Sequence, residues 1–294
     1  MKKIIVILII LIGAYQVNAQ KISPYIKVTE STRSIAELTG DVAKALSSAS
    51  FSILGTYHPA GWKSLSVLVF TRNDVKNTVV KVKDRGALAA AFKIGFVRKN
   101  GKTAVSYTNP EYILRAYLRG DYGKYKSVFN KFNSDLKVAL SKVGSDFTSF
   151  GGSIEAGALK KYHYKIMMPY FTDPVELKTF NSFSEGLKTI QNNLIKHKSG
   201  TLLVYKIIYK SKNVAVFGVG LKDKVTGEGH FLPKIGISNI AAMPYEIILQ
   251  GNKATMLNGK YRLAISWPEL SMGTFMRIVS TPGDIEDTLK SICE

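Results

Sequence analysis

"AFKIGFVRKNGKTAVSYTNPEYILRAYLRG", residues 91–120, decides the fold class. Two apolar-rich runs flank Asn100-Gly101, and an Asn-Gly pair so placed marks a β-hairpin, because both central positions of the favoured turn need a positive φ. Asn109, Pro110 and Glu111 follow. They offer a side-chain oxygen for the first free N–H groups of a helix, a ring whose φ is already helical, and an acid at the positive end of the dipole. A hairpin running directly into a capped helix predicts an α+β chain, an antiparallel sheet packed on helices.

The same rhythm extends in both directions. Ile35, Leu38, Val42, Leu46 and Ala49 lie at helical spacing. "FSILGTYHP" (51–59) reads as a strand ending in a turn and "SLSVLVFT" (64–71) as a second strand. "NDVKNTVVKVKD" (73–84) reads as a short helix capped by Asn73, and "YGKYKSVFNKFNSDLKVALSKVG" (122–144) as a long amphipathic one. The second half repeats the order. Phe183, Leu187, Ile190 and Leu194 share a helical face, "LLVYKIIYKSKNVAVFGVGL" (202–221) is a hairpin, and "PYEIILQGNKATMLNGKYRLAIS" (244–266) supplies further strands with Gly-containing turns. "WPELSMGTFMRI" (267–278) opens on Pro-Glu, and Thr281 caps a last helix.

Gly101-Lys102, Pro110-Glu111 and Arg119 match Gly259-Lys260, Pro268-Glu269 and Arg277 without a gap, five identities over nineteen positions. That match predicts two tandem, duplicated domains in which the Pro110 and Pro268 helices are equivalent. The expected division is a signal peptide over 1–19, a first domain over 20–149, a junction over 150–181 and a second domain over 182–294.

"FSILGTYHP" and "AFKIGFVRKNGKTAVSYTNPEY" resemble the uncharacterised domain-of-unknown-function family 302, whose members carry an "ILG" strand ending in a turn with Pro and a later "GKT-V" strand ending in Asn/Asp-Pro. The likeness covers Ile35 to about Arg119 well and Phe183 to Ile292 more faintly, which makes the chain look like a tandem, exported member. It implies a small α+β domain often paired as a dimer, and no reaction. Where many members carry Cys, this chain has Tyr57 and Phe92, so no thiol or metal role carries over.

"MKK", an apolar core of about a dozen residues and "VNA" before Gln20 form the three parts of an export signal. The core is shorter than the roughly twenty residues of a membrane span. The expected product is periplasmic or secreted, with no transmembrane segment after cleavage. Cys293 is the single cysteine, so no intramolecular disulfide forms. The full chain carries +20, and without Lys2 and Lys3 there remain 39 basic against 21 acidic side chains, or +18. Such an excess reads first as a soluble basic surface, with attraction to an anionic surface as the second reading. The lysines are scattered, with no basic run of five, and nucleic acid is not expected.

No Cys-x-x-Cys-His, His-Glu-x-x-His, Gly-x-Ser-x-Gly or phosphate-loop pattern occurs. His58, His163, His197 and His230 are far apart, His197 at a helix end and His230 in a loop. The candidate binding residues are Tyr57 and His58 in the first turn, Glu111 and Arg115 one helical turn apart, and Tyr162, His163, Tyr164, Met168 and Tyr170 in "KKYHYKIMMPYFTDP" (160–174). Read as an extended segment, that stretch puts aromatic and thioether groups on one face. It is expected to cross the groove between the domains as a junction, with any ligand site beside it. His163, Met167 and Met168 also form a soft donor set that would suit copper or haem. No catalytic or metal residue is assigned and the cofactor is unknown. The expected role is a non-enzymatic binding or scaffold protein, a monomer with pseudo-dimeric domains, holding an apolar small molecule or lipid. The alternative is an enzyme using His58 or His163 with nearby Glu and Arg groups.

Overall fold

A computed structural model describes residues 20–294, and the expected export signal lies outside them. In the first half, β1 (Lys21–Ile22), β2 (Tyr25–Ser31), α1 (Ile35–Ser48), β3 (Ser52–Tyr57), β4 (Leu65–Thr71), α2 (Asn73–Val79), β5 (Phe92–Lys99), β6 (Lys102–Thr108), α3 (Pro110–Leu118) and α4 (Lys126–Leu140) are followed by the short β7 (Ser149–Phe150) and β8 (Ile154–Glu155). The second half runs β9 (Val175–Thr179), α5 (Phe183–Ile195), β10 (Thr201–Tyr209), β11 (Val214–Leu221), α6 (Glu228–Ile235), β12 (Tyr245–Gln250), β13 (Lys253–Met256), α7 (Gly259–Ser266), α8 (Met272–Met276) and α9 (Thr281–Cys293). The class is α+β, as expected.

One antiparallel sheet has the order β3-β4-β5-β6-β2-β7, another β10-β11-β12-β13-β9, and β1 pairs with β8. The period of two along β5 sorts its faces. Phe92 turns toward the helices, where Phe51, Phe70 and Phe132 surround it with ring centroids 4.6–6.5 Å apart. Arg72 lies over two of those rings and is ion-paired to Asp74 and Asp135. Lys93 and Gly95 turn the other way, toward Glu246 and Ile240 of the second half. Helices α1 and α4 cover the outer side of the first sheet and α5 and α9 that of the second. The inner sides meet, so β4 and β11 are buried along their whole length.

The two sheets agree beyond strand order. Pairing of β3 with β4 skips Leu54, between Ile53 and Gly55, and pairing of β10 with β11 skips Val204, between Leu203 and Tyr205. Val28 in β2 and Leu177 in β9 are skipped in the same way. Counting from the first bulge, Gly55 pairs with Val69, which pairs with Lys93; Tyr205 pairs with Gly218, which pairs with Glu246. Lys93 and Glu246 are therefore equivalent positions, and they form an ion pair with each other.

The gapless nineteen-residue register is wrong. Lys102–Thr108 is a strand, whereas Gly259–Ser266 is helix α7, and Pro268 lies in a turn rather than at the start of a helix. Two Asn-Gly pairs caused the slip. Asn100 and Gly101 have φ of 50° and 77° and make the hairpin turn, but Asn258 has φ −53° and caps α7 by accepting a hydrogen bond from the Lys260 N–H at 3.0 Å. Its counterpart is Asn109, which caps α3 from the same place after its hairpin. The recurring motif is Asn-x-x-Tyr-x-Leu, with Tyr112 and Tyr261 both fully buried.

Smaller corrections concern ends and connections. Asn73 and Thr281, expected as caps, are the first residues of α2 and α9, and His230 lies in α6 rather than in a loop. The junction is not an extended strand. Leu159–Lys161 form a 3-10 turn, the Met168 N–H donates to the Lys165 carbonyl at 3.0 Å to close a turn with Met167 at φ 67°, and the Tyr170 N–H donates to Asp173. Pro169 and Pro174 have no N–H to give to a ladder, and between them the Asp173 N–H donates to the Tyr170 carbonyl in a further turn.

Candidate functional site

The turns of the junction strap the surface of the second half and leave a hollow on either side. On one side is an apolar groove of about 210 Å³, walled by Tyr164 and Met168 of the strap, Leu263 and Trp267 at the end of α7, and Leu270 and Phe275 around α8. Its rim carries Lys165 and Lys260 and no carboxylate. On the other side Tyr162, Tyr170, Phe171 and Tyr261 line a wider hollow of about 440 Å³.

Local chemistry places each wall. α7 begins at the Asn258 cap and ends where Trp267, the residue before Pro268, donates its N–H to the Leu263 carbonyl. Trp267 is buried and lines the groove. α8 starts at Ser271, whose hydroxyl accepts from the Thr274 N–H at 3.1 Å. On the strap, Tyr162 donates to the Ala264 carbonyl at 3.3 Å, and burial pushes its hydroxyl up to about 12. Phe171 plugs the base of the strap between the guanidinium groups of Arg85 and Arg119, each 4.8 Å from its ring. Asp84 holds both arginines.

The expected site residues separate into four places. Tyr164 and Met168 line the groove, and Tyr162 and Tyr170 the second hollow, so the one aromatic face expected for the junction is split in two. His163 stacks on Tyr170 at 4.3 Å, with Nδ1 2.7 Å from the Lys165 carbonyl. Tyr57 is buried at the interface of the halves, where its hydroxyl donates to Glu228 at 2.9 Å. Beside it, His58 is exposed and its Nδ1 lies 2.5 Å from the Leu65 carbonyl. Glu111 and Arg115 pair at 2.7 Å, with the guanidinium 4.4 Å over Tyr122. Among the described residues no hydrogen bond or ion pair joins a histidine to Glu111 or Arg115, and no group of three or more His, Cys, Asp or Glu is placed to hold a metal. Met167, one of the three soft donors, is 98% exposed at the tip of the turn, while Met168 faces the groove.

Leu263, Trp267, Leu270 and Phe275 are the residues that reading the sequence missed. "YRLAIS" alternates and mimics a strand, so Leu263 stayed hidden in an expected sheet, while Trp267, Leu270 and Phe275 lay in "WPELSMGTFMRI", expected to open a helix at Pro268. The signal that could have found it was Asn258 as a helix cap.

No family model matches the chain, and no curated protein matches it. Among solved structures it is similar to an uncharacterised conserved DUF302 protein from Bacillus stearothermophilus, at 12% identity over 40% of this chain and 97% of that one, with a TM-score of 0.35. Among the described residues no helix is long and apolar enough to cross a membrane.

Proposed function

We propose that the chain is an exported, non-enzymatic binding protein of two duplicated domains resembling family 302, which holds an apolar small molecule or lipid chain in the groove beside the junction. The observation that carries this reading is the groove wall itself: Trp267 and Phe275 from the second half closed over by Tyr164 and Met168 from the strap. Ligand sites are mostly apolar hollows with a few polar groups at the edge, and here the edge is Lys165 and Lys260. A dry apolar cavity of roughly 150 Å³ takes a benzene ring, so about 210 Å³ suits one ring or a short alkyl chain. The two lysines favour a ligand with a negative end. Matching strand order and matching bulges support the duplication, and the joined inner faces make one chain the equivalent of a dimer.

Native mass spectrometry of protein purified without detergent tests the reading. The expected result is a retained apolar mass that disappears in Ala264→Phe, a change that fills the groove, while the melting temperature stays near that of the wild type. A spectrum of bare chain, together with no binding of an anilinonaphthalene sulfonate dye, would overturn it.

A further inference from the structure

Ile166 and Met167 form the outermost point of the strap, 88% and 98% exposed. Met272, Met276 and Val279, between 49% and 59% exposed, add apolar surface along and just beyond α8, and Ile166 and Met272 line the same groove. Large apolar side chains this bare are uncommon on a protein that meets only water, and a contiguous run of them marks an interaction surface. The charge around them is of one sign. Lys160 and Lys161 edge one hollow and Lys165 and Lys260 the other, all four exposed. Among the described residues none of the four is in an ion pair, and neither lining contains a carboxylate. The nearest acids in sequence are the exposed Glu155, five residues before Lys160, Asp173, engaged by the Tyr170 N–H, and Glu269.

We infer that this face docks on an anionic lipid surface, with Ile166 and Met167 entering the headgroup boundary and the four lysines facing lipid phosphates. An apolar tip with lysines at the hollows on both sides of its strap fits a soft, negatively charged layer better than a matching protein groove, because the tip needs depth and the lysines need only charge. Close backbone sterics fix the protrusion: Met167 sits in the left-handed region at φ 67°, and the Lys165–Met168 hydrogen bond closes the turn beneath it. Docking there would also bring the mouth of the groove against the lipid. The inference does not depend on the groove being occupied, since only the tip and the lysines make the contact.

Co-sedimentation with phosphatidylglycerol-containing vesicles, against pure phosphatidylcholine, tests it on the chain without residues 1–19. Binding is expected to the anionic vesicles alone, to weaken as salt rises, and to fall roughly fivefold for each of Lys160→Gln, Lys161→Gln and Lys165→Gln. Ile166→Asp with Met167→Asp should lower it at least tenfold with no change in melting temperature, since neither side chain is packed. Equal binding to both vesicle types overturns the inference. So does tip-independent binding, which would assign the attraction to the diffuse basic charge, or a dimer that the tip variant turns into a monomer, which would make a second copy the occupant.

Discussion

Lys93 and Glu246 occupy the same position in the two sheets and are ion-paired with each other. In a symmetric dimer of one domain the corresponding residue would face its own copy, and like charges would repel. Here the two halves carry opposite charges at that position. Arg262 adds a second cation, 3.6 Å from the same carboxylate; its guanidinium lies 3.6 Å from the Tyr245 ring centre and donates to the carbonyls of Ala242 and Pro244.

That arrangement ranks two substitutions. Glu246→Gln removes the one carboxylate serving two buried cations and should cost about 3–5 kcal/mol. Lys93→Met leaves Glu246 its arginine and should cost about 2 kcal/mol, below the usual range for breaking a buried pair. Urea midpoints at unchanged slope measure both, and a larger loss in Lys93→Met than in Glu246→Gln would contradict the arrangement.

Gly55 and Val204 set the distance between the halves. A Cβ on Gly55 would lie 2.1 Å from the Val204 carbonyl oxygen, a backbone atom with nowhere to go while the sheets stay joined. Gly55→Ala should therefore cost about 3 kcal/mol, the upper range for overpacking. Gly101→Ala, in open space at φ 77°, should cost only about 1 kcal/mol from backbone strain. Comparable losses in the two variants, measured by thermal unfolding, would show that the halves can separate freely.

The groove wall predicts a graded response. Trp267 is 4% exposed, and Trp267→Ala should cost about 3–5 kcal/mol. Tyr164 and Met168 are only half-buried, so replacing either with Ala should cost about 1 kcal/mol, less than a full core truncation. Both should still weaken retention of the apolar ligand. Unchanged retention in Tyr164→Ala and Met168→Ala, read by native mass spectrometry, would remove the strap from the site.

Most elements were legible because local chemistry and burial agree in them. Ser34 and Glu37 form a reciprocal cap ahead of the Leu38, Val42 and Leu46 stripe, and the β5–β6 hairpin turns where Asn100-Gly101 says it should. The gapless register expected between the halves was misread. Asn-Gly fits a hairpin turn and a helix start equally well, and only the φ of the Asn, positive at 100 and negative at 258, tells them apart. Of the candidate site, Tyr164 and Met168 could be found from their place in the junction. Their partners could not, because Leu263 sits in an alternation that reads as a strand, and Trp267, Leu270 and Phe275 in a segment whose Pro-Glu reads as a helix start. Nor does local sequence mark Glu228 as the partner of Tyr57, 171 residues away.

Glu228 gives the halves a pH dependence. It is fully buried at the start of α6, accepts from the Tyr57 hydroxyl at 2.9 Å and the Ala60 N–H at 2.8 Å, and has its carboxyl pushed up by burial to about 7 from an ordinary 4.5. With the folded value above the unfolded one, the folded chain binds more protons between these limits, so stability falls as pH rises through the window. The full difference, present below about 4.5 and lost by about 7, is on the order of 3 kcal/mol. The carboxyls of Glu37, Asp135, Asp146 and Asp223 are held below the ordinary range by their hydrogen bonds, so they titrate under this window and with the opposite sign. Glu228→Gln mimics the protonated acid, its carbonyl accepting from Ala60 and its amide facing the Tyr57 oxygen. The variant should match the wild type at pH 5 and be more stable at pH 8, by a gap that opens steadily between. Parallel wild-type and Glu228→Gln unfolding curves across that range would mean that Glu228 is charged throughout, and that the Tyr57 and Ala60 hydrogen bonds compensate its burial in full.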